Sequence, residues 1–166
     1  MVKNKKTKLL PRFSSYVVLL ALLLWIIALF LPAYTQISDP GNVISGGGAF
    51  LNGLMFSWIG IFGGDTFWLV SWFANICFFT VMAATLRNKN KSTIIGVFSV
   101  LMIALPLFAF HPGDIMFGNE SNIKAAKVEI AVTLWYIGVA LMATPPIFSI
   151  FTTPERTHKS RNRSRP

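Results

Sequence analysis

Few of the 166 side chains could do chemistry, and the most informative of them is an amide. Asn75 lies inside an apolar run rather than at its end, and helical spacing places Ser71 one turn before it, on a face shared with Gly64, Trp68 and Met82. An amide left without partners is costly in hydrocarbon. That face is therefore expected to point into a helix bundle, either as a packing hydrogen bond or as a polar lining of a substrate path. A second set, His111, Asp114 and Glu129, flanks other apolar runs. With Glu120, Asp39 or Asp65 it could surround a cation or move a proton. No His-x-x-x-His, Cys-x-x-Cys or EF-hand spacing organises these residues, and the chain has no Gly-x-Ser-x-Gly, His-Glu-x-x-His or glycine-rich phosphate loop followed by lysine. His111-Pro112-Gly113-Asp114 reads as a turn, and Asp65 as a helix N-cap. Cys77 stands alone in an apolar run, where it acts as filler. No catalytic, cofactor-binding or metal-ligating residue is assigned. Ser71 and Asn75 remain as a candidate intramembrane polar face, and His111, Asp114 and Glu129 as candidate outer-face polar residues.

The elements that must position these residues follow from composition. Hydrophobic residues make up 54% of the chain and charged ones 13%, yet the formal charge is +9; the mean hydropathy is +0.59. A soluble domain of this size cannot hide so much apolar mass. Disorder is excluded by the same hydrophobicity, and a disulfide scaffold by the single cysteine. An all-α membrane protein remains, with its basic charge outside the lipid.

Four apolar runs are long enough to span: about 13–31, 67–86, 93–110 and 128–151. The first, at ~1.5 Å per residue, covers ~28 Å. Its basic leader resembles a signal-peptide n-region, but the run is long for an h-region and Leu31-Pro32-Ala33 is a poor cleavage site, so an uncleaved anchor is expected. The chain divides into a basic leader (1–12), a membrane domain (13–152) and a basic tail (153–166). Four antiparallel spans put thirteen of the fifteen Lys and Arg on one side, in the leader, the loop 87–92 and the tail. That side carries +12 and the other −3, so the positive-inside rule makes both termini cytoplasmic.

The 34 residues from Pro32 to Asp65 contain no Lys or Arg and do not read as a simple loop. Ala49 to Phe62 would form a helix of ~21 Å, too short to span. A fifth span here would carry Arg87, Lys89 and Lys91 to the outside. An interfacial or re-entrant helix is expected instead, with Gly46–Gly48 and Gly63-Gly64 letting the chain turn at its ends. Six of the eight Trp and Tyr, among them Tyr34, Trp72 and Trp135, fall toward the outer side and read as an interfacial belt. Pro106, Pro145 and Pro146 lie inside spans, where each removes a backbone donor and can kink its helix.

Leu31-Pro32-Ala33, the segment Gly46–Gly48 with Trp58-Ile59-Gly60, Trp72-Phe73-Ala74-Asn75 and Leu134-Trp135-Tyr136 together resemble an uncharacterised group of small four-span bacterial inner-membrane proteins. The likeness covers Leu31 to Asn75 best and departs from the group's pattern at Ile76, where proline is expected. It implies a fold and a compartment, the cell inner (plasma) membrane, and supplies no activity. The layout is also that of claudin-like proteins, but their outer loop depends on a cysteine pair and this chain has one cysteine.

The function expected from these features is that of a non-catalytic multi-pass membrane protein that binds or stabilises a partner. A small oligomeric transporter or channel with Asn75 and Ser71 near its path is the alternative, and an enzyme acting at the outer face, through Glu129, Asp114 or His111, a second. No cofactor is expected. The partners are the lipid bilayer and, within it, another membrane protein or a second copy; the tail has no aromatic residue for stacking, so nucleic acid is not among them.

Overall fold

The computed structural model describes residues 9–37, 39–60, 69–87, 89–90, 92–111, 114–116 and 123–151. The first helix, α1 (Leu9–Phe30), is a run of good helix formers with its single proline in the first turn, where no intrahelical N–H is lost. Pro32 stops it, because a proline disfavours the helical conformation of the residue before it. The chain then extends as β1 (Pro32–Gln36), reverses through an Asx turn in which Asp39 Oδ1 accepts from the Gly41 N–H at 3.2 Å, and returns as β2 (Val43–Ser45).

The helix that follows, α2 (Gly46–Gly60), begins without a linker. Ser45 caps it, its Oγ accepting from the Gly48 N–H at 3.1 Å. The glycine run expected to be a hinge is thus the first turn of a helix. Its cause is crowding: a Cβ on Gly46 would fall against the carbonyl group of Ala28, 2.8 Å from the carbon, and 3.1 Å from Leu29 Cα. Glycine is what lets α2 start in contact with the end of α1.

A turn of 3-10 helix at 69–72 leads into α3 (Phe73–Leu86), and a tight loop into α4 (Thr93–Ala104), which continues as the 3-10 segment Leu105–Phe110. Pro106 is buried there and marks the change of winding. After β3 (Asp114–Met116) and β4 (Ile123–Val128) comes α5 (Ile130–Phe151). Pro145 and Pro146 lie within α5. The carbonyl that Pro145 leaves without its helical donor, that of Leu141, accepts from Thr144 Oγ1 at 2.8 Å.

The structure is mostly helical. Leu69–Leu86, Thr93–Phe110 and Ile130–Ser149 are each long and apolar enough to cross a membrane, and Ser14–Phe30 forms a shorter apolar helical stretch. α1 runs antiparallel to α5 along a seam of small residues: Ala21 meets Gly138, whose missing Cβ would stand 3.0 Å from the Ala21 carbonyl oxygen. Below this seam Val18, Phe78, Val81, Met102 and Met142 fill the core between α1, α3, α4 and α5.

The expectation of helices alone needs correcting at one end of the bundle. The four strands form a single antiparallel sheet in the order β2-β1-β4-β3. β1 pairs on one side with β2 (Tyr34 opposite Ile44) and on the other with β4 (Tyr34 opposite Val128), while β3 pairs with β4 (Asp114 opposite Ala125). The connections before α2 and before α5 are therefore one layer, and the ladder is prolonged by the Glu129 N–H donating to the Ala33 carbonyl at 2.8 Å. Accordingly Val128, expected to open the last span, ends a strand, and α5 begins at Ile130. At the opposite end the 87–92 loop closes on the last turns of α5, where Ser149 Oγ donates to the Asn90 carbonyl at 3.2 Å.

Candidate functional site

Three helices bring polar side chains to one layer. Trp25 lies five residues before the end of α1, Trp135 five residues into α5, and Asn75 six residues after Leu69. At ~1.5–2 Å per residue each is roughly 8–12 Å below the sheet end. Asn75 Oδ1 accepts from Trp25 Nε1 and from Trp135 Nε1, each at 2.9 Å, and Asn75 Nδ2 donates to the Trp72 carbonyl at 3.0 Å. An indole N–H can only donate, so the atom between the two rings must be the amide oxygen, and both its lone pairs are used. The amide ties α1, α3 and α5 together.

The expected polar face is thus a shared interior, since Ser71 and Asn75 are both buried. Met82 packs against the core from the same helix, while Gly64 and Trp68 lie outside the described residues. Trp72 and Trp135, expected in an interfacial belt, are half-buried toward the sheet end, where the Trp135 indole and the Trp72 carbonyl bond the amide.

Between this layer and the sheet lies a partly open cavity, whose empty space of about 520 Å³ includes its open mouth. Its walls are α1, the start of α3, the start of α5 and the face of α2 that carries Ala49, Phe50 and Gly53; Tyr34 of β1 stands at its sheet side. Five alanines, Ala28, Ala33, Ala49, Ala109 and Ala131, leave the space that larger side chains would fill. None of the described lining residues is charged. The buried indole N–H of Trp72, at the wall, has no hydrogen-bond partner among the described residues, and the neighbouring Ser71, 6% exposed, lines the same space. Trp72 is pinned there by α2, because a Cβ on Gly53 would stand 2.6 Å from its Cγ. Phe50 completes the contact, with ring centroids 5.5 Å from Trp25 and 5.9 Å from Trp72.

Tyr34 fixes the roof. Its hydroxyl, almost wholly buried, donates to the Ala109 carbonyl at 3.1 Å, which fastens the central strand to the end of the 3-10 segment. Burial holds its ionisation well above the ordinary tyrosine range.

The candidate outer-face residues fall on three separate stretches of backbone at the sheet end. His111 is exposed just past the 3-10 segment, its N–H bonded to the Phe108 carbonyl at 3.2 Å. Asp114 opens the edge strand β3 opposite Ala125, four residues along the chain from Glu129, or about 13 Å of strand. Glu129 sits between β4 and α5 and pairs with Lys127 at 3.1 Å. Among the described residues no three His, Cys, Asp or Glu stand together as a metal site would require. Asp65 and Glu120 lie outside the described residues.

Sequence reasoning missed Trp25, Tyr34, Phe50 and the glycine face of α2. A signal existed for the last: Gly46, Ala49 and Gly53 recur at three- and four-residue spacing, the pattern of a helix that must approach its neighbour closely. No protein-family model, curated protein or solved structure matches the chain. The reading of the site therefore rests on its own chemistry.

Proposed function

We propose that this chain is a non-catalytic multi-pass membrane protein that binds a membrane component at its sheet end. The observation that carries this reading is the cavity beneath α2 and β1: apolar, uncharged along its described walls, and provided with the buried Trp72 indole N–H, which has no partner among the described residues. A mostly apolar hollow with a few placed polar groups is the usual form of a small-molecule site. Asn75 supports binding over passage, because its acceptor is filled by two indoles and is not available to a moving solute.

In this reading α1, 22 residues long, is a fourth span beside the three apolar helices, and the protein sits in the cell inner membrane. The sheet is on the outer side and both termini are cytoplasmic, as the concentration of Lys and Arg at the other end favours. α2 lies at the outer interface with its glycine face inward and Leu51, Leu54 and Met55 exposed toward lipid.

The test is purification of the full chain in mild detergent followed by mass measurement of the intact complex. A protein or small-molecule companion in fixed stoichiometry is expected, and it should be lost when Ala49→Phe fills the cavity. Repeated recovery of the wild-type protein alone would remove the reading.

A further inference from the structure

We infer that the cavity holds part of a bilayer glycerolipid, with one acyl chain against its aromatic wall and the ester carbonyl accepting a hydrogen bond from the Trp72 indole N–H. The inference rests on the binding reading above and names the occupant.

Four observations converge on this class of ligand. The cavity begins where the helix ends meet the sheet and reaches down about two helical turns to the Asn75 layer; with the sheet at the outer interface, as proposed above, that is the depth at which a lipid passes from glycerol ester to hydrocarbon. Its described walls carry no charge, so a phosphate, carboxylate or ammonium drawn inside would be desolvated without a counter-ion. A headgroup must therefore stay outside, and only the neutral part of an amphiphile can enter. The apolar surface, with Phe50, Leu69 and Val132 in the wall, suits hydrocarbon.

The polar atoms decide between a plain hydrocarbon and an ester-bearing chain. The indole N–H of Trp72, buried and without a partner among the described residues, is a donor, and Ser71, next to it in the chain, lines the same space. A buried donor left unmade costs more than a made bond returns, so a ligand that brings an acceptor is favoured over one that does not. An ester carbonyl is such an acceptor, and it carries no charge. The space is partly open to the surroundings, so it suits the upper part of one chain rather than a whole lipid. The remainder of the lipid would lie along the exposed apolar faces outside.

The full chain is reconstituted into vesicles of equimolar phosphatidylethanolamine and phosphatidylglycerol. A trace of phosphatidylethanolamine carries a diazirine near the carbonyl end of one acyl chain. After illumination, cross-links are mapped by peptide mass and compared with those on Val97 and Val100, exposed residues of α4. Labelling is expected to concentrate on the peptides containing Ala49–Gly53 and Ser71–Asn75. Ala49→Phe from the α2 wall and, independently, Ala131→Leu from the α5 wall should each lower it several-fold while leaving Val97 and Val100 unchanged. Unlabelled ester lipid should compete about fivefold better than its ether-linked analogue, the worth of one hydrogen bond, and Trp72→Phe should abolish that preference.

Labelling spread evenly over exposed helix faces and insensitive to both filling variants would mean annular lipid only, and would overturn the inference. Equal competition by ester and ether lipids in the wild-type protein would overturn the Trp72 contact. A companion other than lipid in the intact-mass experiment, together with even photolabelling, would remove the lipid while leaving the binding reading standing.

Discussion

An asparagine in hydrocarbon has to find its hydrogen bonds within the protein, and Asn75 finds them on three different helices. Membrane hydrogen bonds average only ~0.6 kcal/mol. Removing this amide, however, strands two indole N–H groups at once, and an unsatisfied buried donor costs about 1–3 kcal/mol. Asn75→Leu is therefore expected to destabilise the protein by about 1–3 kcal/mol in detergent denaturation, and more than either Trp25→Phe or Trp135→Phe. If the leucine variant were as stable as the wild type, the amide would not be what joins α1, α3 and α5. Tyr34 gives a pH dependence. Its ionisation is raised by burial, so the folded state favours the protonated phenol. Its contribution is fully present below the ordinary tyrosine value of about 10 and is lost as the pH climbs beyond it. Tyr34→Phe should lower stability by about 1 kcal/mol at neutral pH, through loss of the bond to Ala109, and should flatten the alkaline part of the stability profile. An unchanged alkaline limb would place the sensitivity elsewhere.

Helices were legible in the sequence where length and hydropathy alone decide them. The expected runs 93–110 and 128–151 coincide closely with Thr93–Phe110 and with α5, and the short outer segment appears as α2. The strands were not legible. They are three to six residues long, and β1 is defined by partners on both sides, one of them more than ninety residues away, which no local periodicity can report. The site was legible in half. Ser71 and Asn75 announce a polar face by their spacing, but that Asn75 is consumed by two indoles follows only from how α1 and α5 cross. The role of Gly46–Gly48 was hidden for a similar reason, because a glycine needed for close approach and a glycine needed for flexibility look alike in a chain. Gly46→Ala separates them: overpacking against the Ala28 carbonyl should cost about 1–3 kcal/mol and speed amide exchange through Gly46–Gly60. A hinge glycine would leave exchange there unaffected.

At the scale of the molecule, two different constructions meet: an apolar bundle packed through small residues, and a hydrogen-bonded sheet that joins two connections distant in sequence. The charge asymmetry read from the sequence predicts their orientation. A cysteine at Ile37, exposed beside β1, should react with a membrane-impermeant thiol reagent from outside, and one at Lys89, exposed in the opposite loop, only after the membrane is opened. Outside labelling at both positions would sink the model of cytoplasmic termini. The sheet also fixes an order of events. β1 and β2 can pair as soon as they are made, but the second edge of β1 has no partner until β4 is synthesised, about ninety residues later. At roughly 5–20 residues per second this is an interval of about 5–20 s. During it an open strand edge faces other chains and whatever chaperones attend the membrane. The last helix to be inserted is thus also the one that delivers the closing strand, so a chain halted before β4 is left with a sticky nascent edge.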